Sequence, residues 1–194
     1  MISQTTATHA TLLARLSDGD AVAWSDFCDR YEQLIRGFAK RQGLGGADAD
    51  DVVQDVLLGL TKSMPGFRYD PAKGKFRSYL KTATMHAIWR RSRQKGPVVP
   101  LGEGGSQADG ADDPVDQTWE IEWRQYHLRQ AMRTIRAEFN ASDVIAFERY
   151  VGADRDAKET AAELGLSVDS VYQAKSRILR RLGQVIATQT DEEG

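Results

Sequence analysis

The chain has 194 residues, 41% hydrophobic and 28% charged, with a formal net charge of −2. That is the make-up of a soluble folded protein, and no apolar run approaches the about 20 residues of a membrane span. The start, MISQTTATHATLLARL, lacks the basic leader and long apolar segment of a secretory signal. The single Cys28 excludes an internal disulfide, which fits the cytoplasm, and His9, His86 and His127 are too scattered for a metal site, so no cofactor is expected.

The small net charge conceals a segregation. Arg68 to Lys95 holds nine bases against the single acid Asp70, whereas Glu103 to Glu122 holds seven acids and no base. Blocks of this kind create local fields that the whole-chain sum hides.

In chain order, Leu12, Leu13 and Leu16 predict a short amphipathic helix ending at Ser17-Asp18-Gly19. Asp20 then caps a helix from Ala21 to about Gln42, whose apolar set is Val22, Trp24, Phe27, Tyr31, Leu34, Ile35 and Phe38. Gly43 to Gly46 breaks it. The third helix, DADDVVQDVLLGLTKSM, begins at Asp48 and buries Val52, Val53, Val56, Leu57 and Leu60. Asp48, Asp51, Asp55 and Leu58 fall on its opposite side. That strip is either a solvated face with acids at the helix's positive end or a docking strip for a basic protein partner.

Pro65-Gly66 ends this helix, and Asp70-Pro71 with Lys73-Gly74 make a tight polar connection. The fourth helix, FRSYLKTATMHAIWRRSRQK, is amphipathic through Phe76, Leu80, Ala83 and Ala87, with Ser78, Thr82, Met85, His86, Trp89 and Arg93 outward. A tryptophan on a basic face suits stacking on unpaired bases beside a phosphate-binding surface; the alternative is a tryptophan covered by a neighbouring helix.

Gly96 to Asp116 has no periodicity, is rich in Gly, Pro and Asp, and reads as a flexible acidic linker. The chain is therefore expected to be all-α: a helical domain over residues 1–95, the linker 96–116, and a second small helical domain over 117–194. In the latter, Trp119, Ile121, Trp123, Tyr126, Leu128, Met132 and Ile135 mark a long helix, and another runs around Val144 to Tyr150.

The stretch AKETAAELGLSVDSVYQAKSRILRRLG, Ala157 to Gly183, is patterned as a helix-turn-helix. Gly165 suits a helix end, Ser167 suits an N-cap, and Val171, Ala174, Ile178 and Leu182 share one face. Asp169, Gln173, Ser176, Arg177 and Arg180 stand on the other. From Ser170 to Gln184 there are four bases and no acid, which favours DNA contact over plain packing. No Ser-His-Asp or Cys-His set, phosphate loop or carboxylate pair presents itself, so an enzyme is not expected.

The order of these parts resembles the extracytoplasmic-function sigma factors of bacterial RNA polymerase, within the sigma-70 family, from about Leu12 to Leu182. DADDVVQD (Asp48 to Asp55) is similar to the family's polymerase-clamp helix, FRSYL (Phe76 to Leu80) to the start of its promoter-melting segment, and SVDSV (Ser167 to Val171) to the start of its recognition helix. The resemblance implies binding to core RNA polymerase through Asp48, Asp51, Gln54, Asp55 and Leu58. It implies minus-ten contacts from Arg77, Lys81, Met85, His86, Trp89, Arg90, Arg91 and Arg93. Minus-thirty-five contacts would come from Ser170, Tyr172, Gln173, Ser176, Arg177 and Arg180. Promoter DNA, and an anti-sigma protein as a possible regulator, are the other implied partners.

The chain departs from the family at Met85-His86, where Arg-Asn is common. It also departs at Phe139-Asn140-Ala141, where Leu-Pro is common, and at Tyr172, where a base is common. The target sequence therefore does not carry over. The rival reading is a stand-alone helix-turn-helix regulator of operator DNA, which leaves the acidic face, the aromatic-basic helix and the linker unused.

Overall fold

Each regular element of the computed structural model, which describes residues 9–66, 75–94 and 113–193, is helical. The helices are α1 (His9–Ser17), α2 (Ala21–Arg41), α3 (Gly46–Ser63), α4 (Phe76–Gln94), α5 (Pro114–Glu138), α6 (Ala141–Phe147), α7 (Ala157–Leu164) and α8 (Val168–Glu193). A π-helical turn, Glu148–Gly152, follows α6. The all-α expectation is met among the described residues. The Asp70-Pro71 and Lys73-Gly74 connection, and the linker up to Asp112, lie outside them.

Local chemistry places the helix starts. Asp20 Oδ1 accepts from the amides of Val22 and Ala23 at 2.9 and 3.1 Å, and Arg15 Nε donates to its Oδ2 at 2.8 Å. These donors hold the Asp20 carboxyl below the usual range, the Ala23 amide most of all. Asn140 and Asp156 cap α6 and α7 in the same way. At the linker's end, Pro114 opens α5, where a missing amide proton costs nothing, so Val115 and Asp116 are already helical.

The described chain divides into two compact units, the first reaching Tyr126 and the second spanning His127–Asp191. The core of the first joins Leu12, Leu13 and Leu16 of α1 to the inner faces of α2, α3 and α4, and takes in Trp119, Trp123 and Tyr126 of α5. Tyr31 lies at its centre, stacked on Tyr126 at 5.1 Å between ring centroids and tilted on Phe27 at 4.5 Å. Trp119 meets the edge of Phe38 at 4.9 Å. The first unit thus takes in residues 114–126, part of which the sequence pattern grouped with the linker and the C-terminal domain. The aromatic half of α5 finds an aromatic bed on α2. The small and aliphatic residues further on, Ala131 and Ile135, pack with Val144, Phe147, Ile178 and Leu182 in the second unit.

Several side chains differ from the helical-wheel expectation. Val22 is 64% exposed beside its cap, and Ile121 and Leu128 of α5 also face solvent, because the buried stripe is narrower than the run of apolar residues. On α4 the core takes Thr84 and Ile88. Burial of Thr84 is tolerable because its hydroxyl donates to the Leu80 carbonyl at 2.8 Å. Met85, expected outward, packs against the core of the first unit.

Candidate functional site

On α3, the inner face is as the sequence predicts: Val52, Val53, Val56 and Leu60 are buried. The outer strip is not simply a solvated row of acids. Arg91 of α4 ion-pairs with Asp51 and, at 3.3 Å, with Asp48, while Arg90 pairs with Asp55 at 3.1 Å. Two residues expected to touch DNA therefore partly neutralise three expected to touch polymerase. Between them Gln54 stays exposed, and Leu58 is 56% exposed, a bare leucine among half-covered carboxylates.

The eight α4 residues singled out by the sequence separate into three groups. His86, Trp89, Arg90 and Arg93 follow helical spacing along one stripe and reach the surface, Trp89 half-buried against His86 with ring centroids 5.7 Å apart. Met85 belongs to the core side and Arg91 to the acids of α3. Arg77 and Lys81 are held by α5: Arg77 pairs with Glu120 and lies over the Trp123 ring at 5.1 Å, and Lys81 pairs with Asp116. A third pair, Arg41 Nε to Glu122 Oε1 at 2.5 Å, lies alongside, with the Glu122 side chain only 5% exposed.

In the second unit, Gly165 takes the left-handed conformation (φ 65°) that closes α7. The Ser170 amide donates to Ser167 Oγ at 3.0 Å, capping α8. Val171, Ala174, Ile178 and Leu182 are buried, which turns Gln173, Ser176, Arg177 and Arg180 outward. Arg180 has no ion-pair partner among the described residues. Arg177 is steadied by Asp143 of α6 at 2.8 Å, and Arg181 is locked by Glu138. The Arg181 guanidinium holds the Glu138 carboxyl below the usual carboxylate range. Ser170 spends its hydroxyl on Ser167 at 2.8 Å. Tyr172, 48% exposed, meets Tyr150 edge-on, and the Lys175 ammonium sits 4.9 Å above the Tyr150 ring.

Asp143, Tyr150, Asp116 and Glu120 were invisible as site residues in the sequence. None belongs to a local motif, and each acquires its place only through a partner at least 22 positions away. Among the described residues no three His, Cys, Asp or Glu side chains gather to hold a metal ion, and no helix is long and apolar enough to cross a membrane.

Residues 27–97, which span most of α2, α3 and α4, match the model of Sigma-70 region 2. Two relatives from strains of Mycobacterium tuberculosis, each described as ECF RNA polymerase sigma factor SigM, are similar over most of the chain. One is 28% identical over 181 residues, covering 90% of this chain and 85% of the relative; the other is 28% identical over 180 residues, covering 90% and 84%. A solved structure of CnrH in complex with the cytosolic domain of CnrY aligns with 91% of this chain and 96% of its own at 18% identity, with a TM-score of 0.36.

Proposed function

We propose that the chain is a sigma factor of the sigma-70 family, of the extracytoplasmic-function type, and that its surfaces divide the work of transcription initiation. It directs core RNA polymerase to promoters and assists opening of the duplex. The strip of α3 around Leu58 and Gln54 docks on polymerase, with Asp51 and Asp55 at its margin. The α4 stripe of His86, Trp89, Arg90 and Arg93 meets the minus-ten region as it becomes single-stranded. There the indole stacks on a base, and the guanidinium groups grip phosphates. The outward face of α8 enters the major groove at minus thirty-five.

The observation that carries this reading is the single stripe at 86, 89, 90 and 93, which sets an aromatic plane among bases on the family's region 2. The protein acts by binding, without a catalytic centre of its own, and works in the cytoplasm where polymerase is. The two acids at the margin matter through electrostatics rather than close fit, since Arg90 and Arg91 already satisfy part of their charge.

Purification of the chain from its own cells, followed by transcription with added core polymerase on genomic fragments, tests the reading. Polymerase should co-purify, and start sites should share a pair of upstream elements. A chain that comes down without polymerase and footprints a duplex alone would instead be a stand-alone regulator.

A further inference from the structure

Tyr172 stands one position before Gln173 on α8, turned from it by about 100° around the helix. It is 48% exposed, and its ring leans toward the π-helical turn Glu148–Gly152. We propose that Tyr172, braced by Tyr150, is a specificity residue whose ring reads the C5-methyl group of a thymine in the upstream promoter element. The proposal rests on the assignment of α8 to the major groove at minus thirty-five.

An exposed tyrosine on a helix ordinarily moves among rotamers, and a moving ring discriminates poorly. This one is held. Its ring meets that of Tyr150 at 5.6 Å between centroids and 76° between planes, the edge-to-face arrangement that ring quadrupoles favour. Tyr150 in turn packs against the core of Ala146, Ala157, Ala161 and Val171. The Lys175 ammonium, one turn along α8 from Tyr172, lies 4.9 Å from the centre of the same Tyr150 ring. The buried stripe of α8 omits Tyr172, so the bracing serves an outward ring.

The turn that carries Tyr150 is itself fixed. The Ala153 amide donates to the Glu148 carbonyl, five residues back, at 2.9 Å; the helix widens there and carries Tyr150 round from where a continued α6 would put it. Asp154 follows at φ 50°, in the left-handed region that few non-glycine residues enter. Ion pairs fasten the segment: Glu148 to Arg136 at 2.7 Å, and Arg149 and Arg155 to Glu163 of α7.

Chemistry decides what a held ring reads. The major-groove edges of the base pairs offer donors, acceptors and a single exposed methyl group, that of thymine. An uncharged ring edge gains most from that group. Lys175 has no ion-pair partner among the described residues, so its charge is available to a phosphate beside the same base.

The test uses holoenzyme assembled from the full chain and core polymerase, and a promoter library randomised across the upstream element. In the selected element each thymine is replaced, one at a time, by deoxyuridine, which removes only the methyl group. One replacement should weaken binding about four-fold, the worth of burying one methyl group. Tyr172→Ala should lose as much on the thymine promoter and be indifferent to the replacement, with helicity and melting temperature unchanged. Tyr172→Phe should keep the full difference. Tyr150→Leu, which keeps apolar bulk against the core, should abolish the difference, and Tyr150→Phe should retain it. An element without A·T pairs, no thymine sensitive to its methyl group, or a sensitivity that survives Tyr172→Ala overturns the proposal. A difference lost in Tyr172→Phe overturns it in favour of readout by the hydroxyl, and one intact in Tyr150→Leu overturns the bracing. The library separates the two levels. If no upstream element is selected at all, the assignment of α8 fails. If an element is selected and depends on Gln173 or Arg177 while no methyl group matters, only the reading by Tyr172 fails.

Discussion

At the scale of single residues, Trp89 and Gln173 carry the sharpest expectations. Trp89 is half-buried, so the two readings of the sequence both have a share in it, but the indole leans on an exposed histidine rather than entering the core. Trp89→Ala should therefore impair promoter opening by about 1–3 kcal/mol, the worth of one base stack. Melting temperature and polymerase affinity should stay near their original values; a variant that mainly melts early would return Trp89 to the fold. Gln173 stands exposed in the second turn of α8, where its amide can pair with adenine in bidentate fashion. A promoter library selected with Gln173→Ala should lose preference at one upstream position, at about 1–3 kcal/mol. Arg180→Ala should weaken all sequences alike and flatten the salt dependence, as loss of a phosphate contact does. Equal weakening of every sequence by Gln173→Ala would mean that this face of α8 is not set against base edges.

Among elements, what could be read from the sequence and what could not separate by distance along the chain. The caps at Asp20 and Ser167, the left-handed Gly165 and the buried stripe of Val171, Ala174, Ile178 and Leu182 are decided within one or two turns, so residue chemistry alone predicts them. The pairs Arg177–Asp143, Arg91–Asp48 and Arg77–Glu120 join residues 34, 43 and 43 positions apart, and only the packing of helices brings them together. That is why the acidic strip of α3 read as wholly outward. The pairing also changes the appropriate test. Reversing Asp51 and Asp55 to lysine would set like charges against Arg91 and Arg90, mixing a folding defect with a docking one. Leu58 touches neither arginine through an ion pair and is already in water. Leu58→Asp should lower affinity for core polymerase at least ten-fold with the helicity and melting temperature unchanged. Full affinity would move the docking surface away from this strip.

For the whole molecule, the decisive feature is where the aromatic half of α5 belongs. A boundary drawn from composition, at the end of the acidic linker, gives Trp119 to the C-terminal domain. The compact units give it to the first, where it is 2% exposed, edge-on to Phe38 and stacked near Trp123 at 5.9 Å. The two divisions predict different consequences for one substitution. Trp119→Ala removes a large buried side chain and leaves a cavity, at about 3–5 kcal/mol. If the ring serves the first unit, that loss falls on α2, α3 and α4. Their amides should exchange hydrogen faster, and the first unit should melt earlier. The amides of α7 and of α8 through Leu182, whose cores are built from Ala161, Val171, Ile178 and neighbours, should keep their protection. The reverse pattern, with α7 and α8 loosened and α2 to α4 unmoved, would return residues 117–126 to the C-terminal domain.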